Sequence, residues 1–189
     1  MAIALLAVAA CAGDDRAVGR SEPVRQYGIG RPATSAEVAA VDVDISPNGA
    51  GLPAGRGTVT QGQAIYARQC ASCHGANGEG APPLYPPLIG RPPAAENFAF
   101  GTNPMLPRTI DNYWPYATAV FDYVRRAMPL DTPGSLTDDE VYAVTAYLLA
   151  ANQVIPMTAT LDSASLVAVK MPYVDRFVPD DRRGGREIR

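Results

Sequence analysis

The tightest constraint on this chain lies in five consecutive residues, Cys70-Ala71-Ser72-Cys73-His74. Two cysteines three apart, with histidine directly after the second, form the attachment pattern for c-type haem. Both thiols would add to the haem vinyl groups as thioethers, and the two-residue spacer on one helical turn sets their separation. His74 would then stand under the iron as the proximal ligand, through a neutral imidazole nitrogen. It is the only histidine among 189 residues, so no second histidine can close the opposite face. A zinc site would need a fourth ligand, and the only other thiol is Cys11, in a segment expected to lie outside the fold. A thioredoxin-like dithiol would need a βαβ setting, and the flanking sequence shows no buried strands.

Composition bounds what surrounds that stretch. With 17 glycines and 18 prolines, the chain has too many helix breakers for a compact helical domain alone. A small helical core with extended, turn-rich arms is expected: a leader at 1–11, a tether and arm at 12–57, a haem domain at 58–155 and an extended tail at 156–189. The formal charge is -3, and Lys170 is the one lysine. That balance lacks the basic patch of a nucleic-acid-binding protein. The apolar stretch Met1 to Ala10 runs into Val8-Ala9-Ala10-Cys11, which looks like a lipoprotein signal with Cys11 as the lipid anchor. The alternative is an ordinary cleaved leader with an incidental cysteine. Either implies export to the periplasm, which agrees with haem attachment outside the cytoplasm.

In chain order, a short helix is expected at Ser35–Ala40, with turns at Pro47-Asn48-Gly49 and Leu52-Pro53. This arm either packs on its own domain or docks a partner. Thr60 is positioned to cap a helix running into the motif, with Gly62 and Tyr66 four apart on one side. Past the motif, a stiff segment from Pro82 to Gly90 offers a backbone carbonyl to the other nitrogen of His74. Pro86 and Pro87 are the candidates, and Pro87 is taken as the haem contact. Trp114-Pro115 opens a second helix that stops before Met128-Pro129. Thr137-Asp138-Asp139-Glu140 has the form of a capping box. It starts a third helix, with Val141, Val144, Thr145 and Leu148 on one face, ending near Asn152.

With no second histidine, the sixth ligand is methionine, another weak ligand, or nothing. Met105, Met128, Met157 and Met171 lie downstream of the motif. Met128 follows one helix directly and precedes a proline that stops it, so a short loop could hang its thioether over the haem. Met171 also precedes a proline but lies beyond the last core helix, and ranks second.

This order resembles the class I cytochromes c, in the positions Gly62, Tyr66, Cys70, Cys73, His74, Met128, Pro129 and Tyr147. The resemblance implies an all-α class I cytochrome c fold, a small helical bundle around one covalent haem c, here with long N- and C-terminal arms. The runs Tyr113-Trp114-Pro115-Tyr116-Ala117-Thr118 and Arg125-Arg126-Ala127-Met128-Pro129 further resemble the cytochrome subunit of Sox sulfane dehydrogenase, also described as that of sulfite dehydrogenase. That likeness runs from about Tyr27 to Asp181. Some members carry two haems on a longer chain, whereas one attachment motif stands here.

The resemblance implies a molybdopterin-containing sulfite or sulfane dehydrogenase as electron donor and another cytochrome or an oxidase as acceptor. It makes the chain an electron-transfer subunit rather than a catalyst on its own. Arg91, Tyr113 and Trp114 are candidates to hydrogen-bond the haem propionates. Arg125 and Arg126 flank the ligand loop and either meet an acidic partner or form a solvated helix face. The single lysine excludes docking through a lysine-rich ring. Two other readings stay open: the electron acceptor of a different exported dehydrogenase, such as a quinoprotein alcohol dehydrogenase, and a five-coordinate haem protein that binds a small ligand.

Overall fold

The computed structural model describes residues 29–90, 103 and 105–178. Cys11 and Arg91 lie outside the described residues. The chain divides into two compact units, Met1–Val41 and Asp42–Arg189. In the first, helix α1 spans Ser35–Val41, one residue beyond the expected end, and buries none of its side chains. Its entry is fixed by polar contacts instead. The Glu37 carboxylate accepts from Thr34 N at 2.8 Å and pairs with Arg31, and that guanidinium draws its pKa down to about 2.

The second unit is built from a short antiparallel pair and the remaining helices. Strand β1 (Arg56–Thr58) runs into helix α2 (Val59–Gln69), and a four-residue helix α3 (Ala71–His74) continues it. Helix α4 is Ile110–Tyr113, α5 is Ala117–Ala127 and α6 is Asp138–Ala151. Strand β2 (Thr160–Asp162) and helix α7 (Ser163–Val167) follow, with a 3₁₀ turn at Val174–Arg176.

Two expected starts move. The N-cap of α2 is Thr58, not Thr60. Thr58 Oγ1 accepts from Gln61 N at 3.2 Å while Gln61 Oε1 accepts from Thr58 N at 2.9 Å. The reciprocal box forms between Thr58 and Gln61, although Gln63 stands at the same spacing from Thr60. Helix α5 begins at Ala117 rather than at Trp114-Pro115, because Trp114 and Tyr116 are both in extended backbone. The Thr137–Glu140 box forms as expected, with Glu140 N donating to Thr137 Oγ1 at 3.3 Å.

Helix α6 is the axis of the core. From Val141 to Ala150 every residue is buried, so this helix is enclosed on all sides rather than on one face. Helix α2 crosses it at Gly62, where a Cβ would lie 1.8 Å from Ala143 O. Only glycine lets the two backbones approach so closely. Above the crossing, the Tyr66 and Tyr147 rings meet at 5.1 Å between centroids. On another side Phe121 of α5 packs its ring 4.5 Å from Tyr142.

The arms expected to be extended contribute to this core. Leu161, Leu166 and Met171 are buried with it, and β2 pairs with β1 in the register Gly57↔Leu161. The tail reads as loop because the residues it buries, Leu161, Leu166 and Met171, stand five apart, matching neither a helix nor a strand period. Strand pairing and contact with α6 recruit it. On the N-terminal side Ile45 is buried, and Tyr142 donates its hydroxyl proton to Pro53 O at 2.9 Å. The segment from Asp42 to Gly55 thus packs on its own domain.

Candidate haem-binding site

The motif is held on one turn by the end of α2. Cys70 N donates to Tyr66 O at 2.9 Å, and His74 N donates to Cys70 O at the same distance. Cys70 and Cys73 are both half-buried free thiols. Burial first, and then the neighbouring Cys73, push the Cys70 thiol up to about 11, so it stays protonated at neutral pH. The phenol of Tyr85 hydrogen-bonds Cys73, and that bond raises its own pKa. Tyr66, fully enclosed, donates its hydroxyl proton to Gly75 O at 2.9 Å, tying α2 to the residue after the histidine.

His74 Nδ1 lies 3.1 Å from the carbonyl oxygen of Pro86. The carbonyl can only accept, so Nδ1 carries the proton and Nε2 keeps a free lone pair. The facing carbonyl therefore belongs to Pro86, not to Pro87. The turn at Gly80 sets this register. It has φ of 71°, and a Cβ there would sit 2.6 Å from Pro87 N and 2.7 Å from the Pro86 carbonyl carbon. The proline segment rests directly on a backbone that a side chain would obstruct.

Met128 is the C-cap of α5, with its N–H donating to Val124 O at 3.2 Å. Its half-buried side chain packs against the core cluster, as do Cys70, Leu88, Ile89 and Trp114. Arg125 of α5 bonds Asp138 of α6 at 2.9 Å and so braces both ends of the Met128 loop. Arg126 pairs with Asp122 one turn back, so both arginines are engaged with carboxylates of their own chain. Among the other methionines, Met105 and Met157 are exposed, and Met171 is sealed into the core. Tyr113 ends α4 with the Arg108 guanidinium 4.9 Å from its ring centroid, and Trp114 packs edge-on to Tyr123 at 5.6 Å.

Reasoning from sequence missed Asn152 and Thr109. Both are buried, and both hydrogen-bond the segment that follows Pro86. Neither carries a motif that separates it from an ordinary helix-terminal polar residue.

The donor set decides which group fits. Two thiols and an imidazole with one free nitrogen share a single turn. Among the described residues no group of three His, Cys, Asp or Glu side chains could hold a bare metal ion. Two points of covalent attachment beside one axial nitrogen suit a macrocycle carrying its own iron.

The comparisons agree with that chemistry. The cytochrome c family profile matches residues 59–152, and the chain belongs to this family, whose members carry covalently bound haem c. It is a class I c-type cytochrome related to the Sox proteins. A chain in the crystal structure of the sulfane dehydrogenase SoxCD from Paracoccus pantotrophus superposes with a TM-score of 0.68 and 38% identity, covering 83% of this chain and 74% of that one. Thiosulfate dehydrogenase of Stutzerimonas stutzeri is 33% identical over 100 residues, 51% of this chain and 28% of the relative. The Allochromatium vinosum thiosulfate dehydrogenase is 33% identical over 93 residues, 47% and 29% of the two chains. The matched segments thus span under a third of those two relatives.

Proposed function

We propose that this chain is the electron-transfer cytochrome of an exported sulfur-oxidising dehydrogenase. It accepts electrons from a molybdenum-dependent sulfite or sulfane dehydrogenase and passes them to another cytochrome. The observation that carries the reading is the reach of the likeness to the SoxCD chain. It covers 83% of this chain, well beyond the family segment at 59–152, and so takes in the arms as well as the haem domain.

In this reading Cys70 and Cys73 would hold the haem as thioethers, and His74 Nε2 and the Met128 sulfur would bind its iron. The bound haem supplies a one-electron Fe(III)/Fe(II) couple. The Pro86 carbonyl holds the proton on His74 Nδ1, which fixes the ring and leaves Nε2 to bind iron. The Met128 loop, braced by Arg125 and Asp138, would hold the thioether ready for the iron, so substrate chemistry belongs to the partner. Arg91, Tyr113 and Trp114 are assigned to the propionates. The placement is periplasmic, with Cys11 as lipid anchor. Among the described residues no helix is long and apolar enough to cross a membrane.

The test is the haem spectrum of native membranes before and after sulfite or thiosulfate, followed by purification of a tagged copy and identification of bound proteins. Haem reduction with a co-purifying molybdenum enzyme is expected. A haem that stays oxidised with both donors, yet reduces with ascorbate, would remove the sulfur assignment and leave the cytochrome intact. Met128→Ala should convert the oxidised spectrum, and an unchanged spectrum would dismiss Met128 as ligand.

A further inference from the structure

The carbonyl that faces His74 sits in a segment that cannot hold itself in place. Pro86 and Pro87 have no N–H, so neither can donate a backbone bond to fix the strap between them. Its position must come from anchors on either side. Upstream, Ala81 and Tyr85 exchange backbone bonds of 2.9 and 3.1 Å. Downstream, Leu88 N donates to Gly78 O at 2.8 Å, which ties the strap to the motif loop but not to the rest of the core.

The tie to the core is Asn152, the C-cap of α6 and 1% exposed. Its Nδ2 donates to Leu88 O at 3.0 Å and to Leu148 O at 2.8 Å, and its Oδ1 accepts from Gly90 N at 3.3 Å. One side chain therefore closes the last turn of the central helix and grips the strap at two points. Thr109 Oγ1, donating to Gly90 O at 2.8 Å, and Ile110 N, donating to Leu88 O at 3.1 Å, complete the clamp from α4. The buried amide is thus committed to both the strap and the end of α6.

We propose that Asn152 is a positioning residue for the proximal histidine: by fixing Leu88 and Gly90 to the end of α6, it holds the Pro86 carbonyl on His74 Nδ1 and so sets the electron density on the iron-binding nitrogen. This rests on His74 being the proximal ligand. A firm Nδ1–H bond raises the basicity of the imidazole and favours the ferric state. Loosening the strap lengthens that bond, makes the ligand a poorer donor and shifts the couple towards the ferrous form.

The test uses the haem-loaded full chain with Asn152→Ser, whose hydroxyl can still cap Leu148 O but cannot span to Leu88 and Gly90. At a fixed ambient potential the reduced-to-oxidised ratio should rise about threefold or more, given the weight of such outer contacts on metal sites. The His74 Nδ1 proton should also exchange faster with solvent in NMR spectra. Leu161→Ala, buried in β2 away from the strap, is the control for stability loss alone and should leave both readouts unchanged. Asn152→Thr, which stays uncharged, serves if the serine variant does not fold. Unchanged potential and exchange in the Asn152 variants, or an equal shift in the control, would overturn the proposal. Failure of the histidine reading itself would show in the unaltered protein, as a spectrum without a histidine-ligated haem.

Discussion

Gly62→Ala puts the central crossing to a direct test. On a free helix this change is stabilising by about 1 kcal/mol, because alanine loses less backbone freedom. At Gly62 the new Cβ would lie 1.8 Å from Ala143 O, 2.4 Å from the carbonyl carbon and 2.8 Å from Tyr147 Cβ. Two of those three atoms are backbone in the middle of α6, so no rotamer change relieves the contact. Ordinary contact begins at 3.4 Å, so α2 and α6 must separate by well over 1 Å at their tightest point. Overpacking that shifts backbone costs up to about 3 kcal/mol. After the helix-propensity gain, a net loss of about 2 kcal/mol remains. For a chain of this length that lowers Tm by roughly 4–8 °C. Differential scanning calorimetry of the haem-loaded protein measures it. Ala64→Gly, exposed on the same helix, calibrates the propensity term and should cost about 1 kcal/mol. A Gly62→Ala protein as stable as the parent, or more so, would refute the close crossing.

Two further perturbations probe the C-terminal segment. Leu166→Ala removes a fully buried side chain of α7 and should cost about 2–5 kcal/mol by denaturant unfolding, whereas a dispensable tail would register almost nothing. Asp162 caps α7 by accepting from Ser165 N at 2.8 Å, and bonds from Ser165 hold its pKa below the ordinary carboxylate value. Because the folded pKa is the lower one, the stabilisation is complete above about pH 4 and is lost as the pH falls through the depressed value. Asp162→Asn should flatten that acid decline in a stability-against-pH series, and an unchanged slope would show that other carboxylates dominate it.

Local residue order determined the parts of this protein whose chemistry is local. The thiol pair and histidine on one turn, the Thr137–Glu140 cap, the stop at Met128-Pro129 and the Gly62–Tyr66 pair all act over five residues or fewer, so spacing alone reveals them. The same holds for the general class of fold, since a helix with a glycine and an aromatic, then the motif, then a closing helix is an ordered pattern. Adjacent registers were harder. Thr58 and Thr60 each have a glutamine three residues on, so spacing alone could not choose the cap, and Pro86 faces His74 rather than Pro87 because Gly80 carries the strap past the histidine.

Only the tertiary structure decided what the sparse segments do. Leu161, Leu166 and Met171 have no period to announce them, and they are buried because β1 and α6 offer a surface. Asn152 and Thr109 look like ordinary polar residues at helix ends, and their weight comes from partners 62 to 64 and 19 residues away in sequence. A contact across such a separation leaves no spacing to read. The sequence names the atoms that can meet a haem; packing of the final helix against a proline strap sets how firmly the histidine is held.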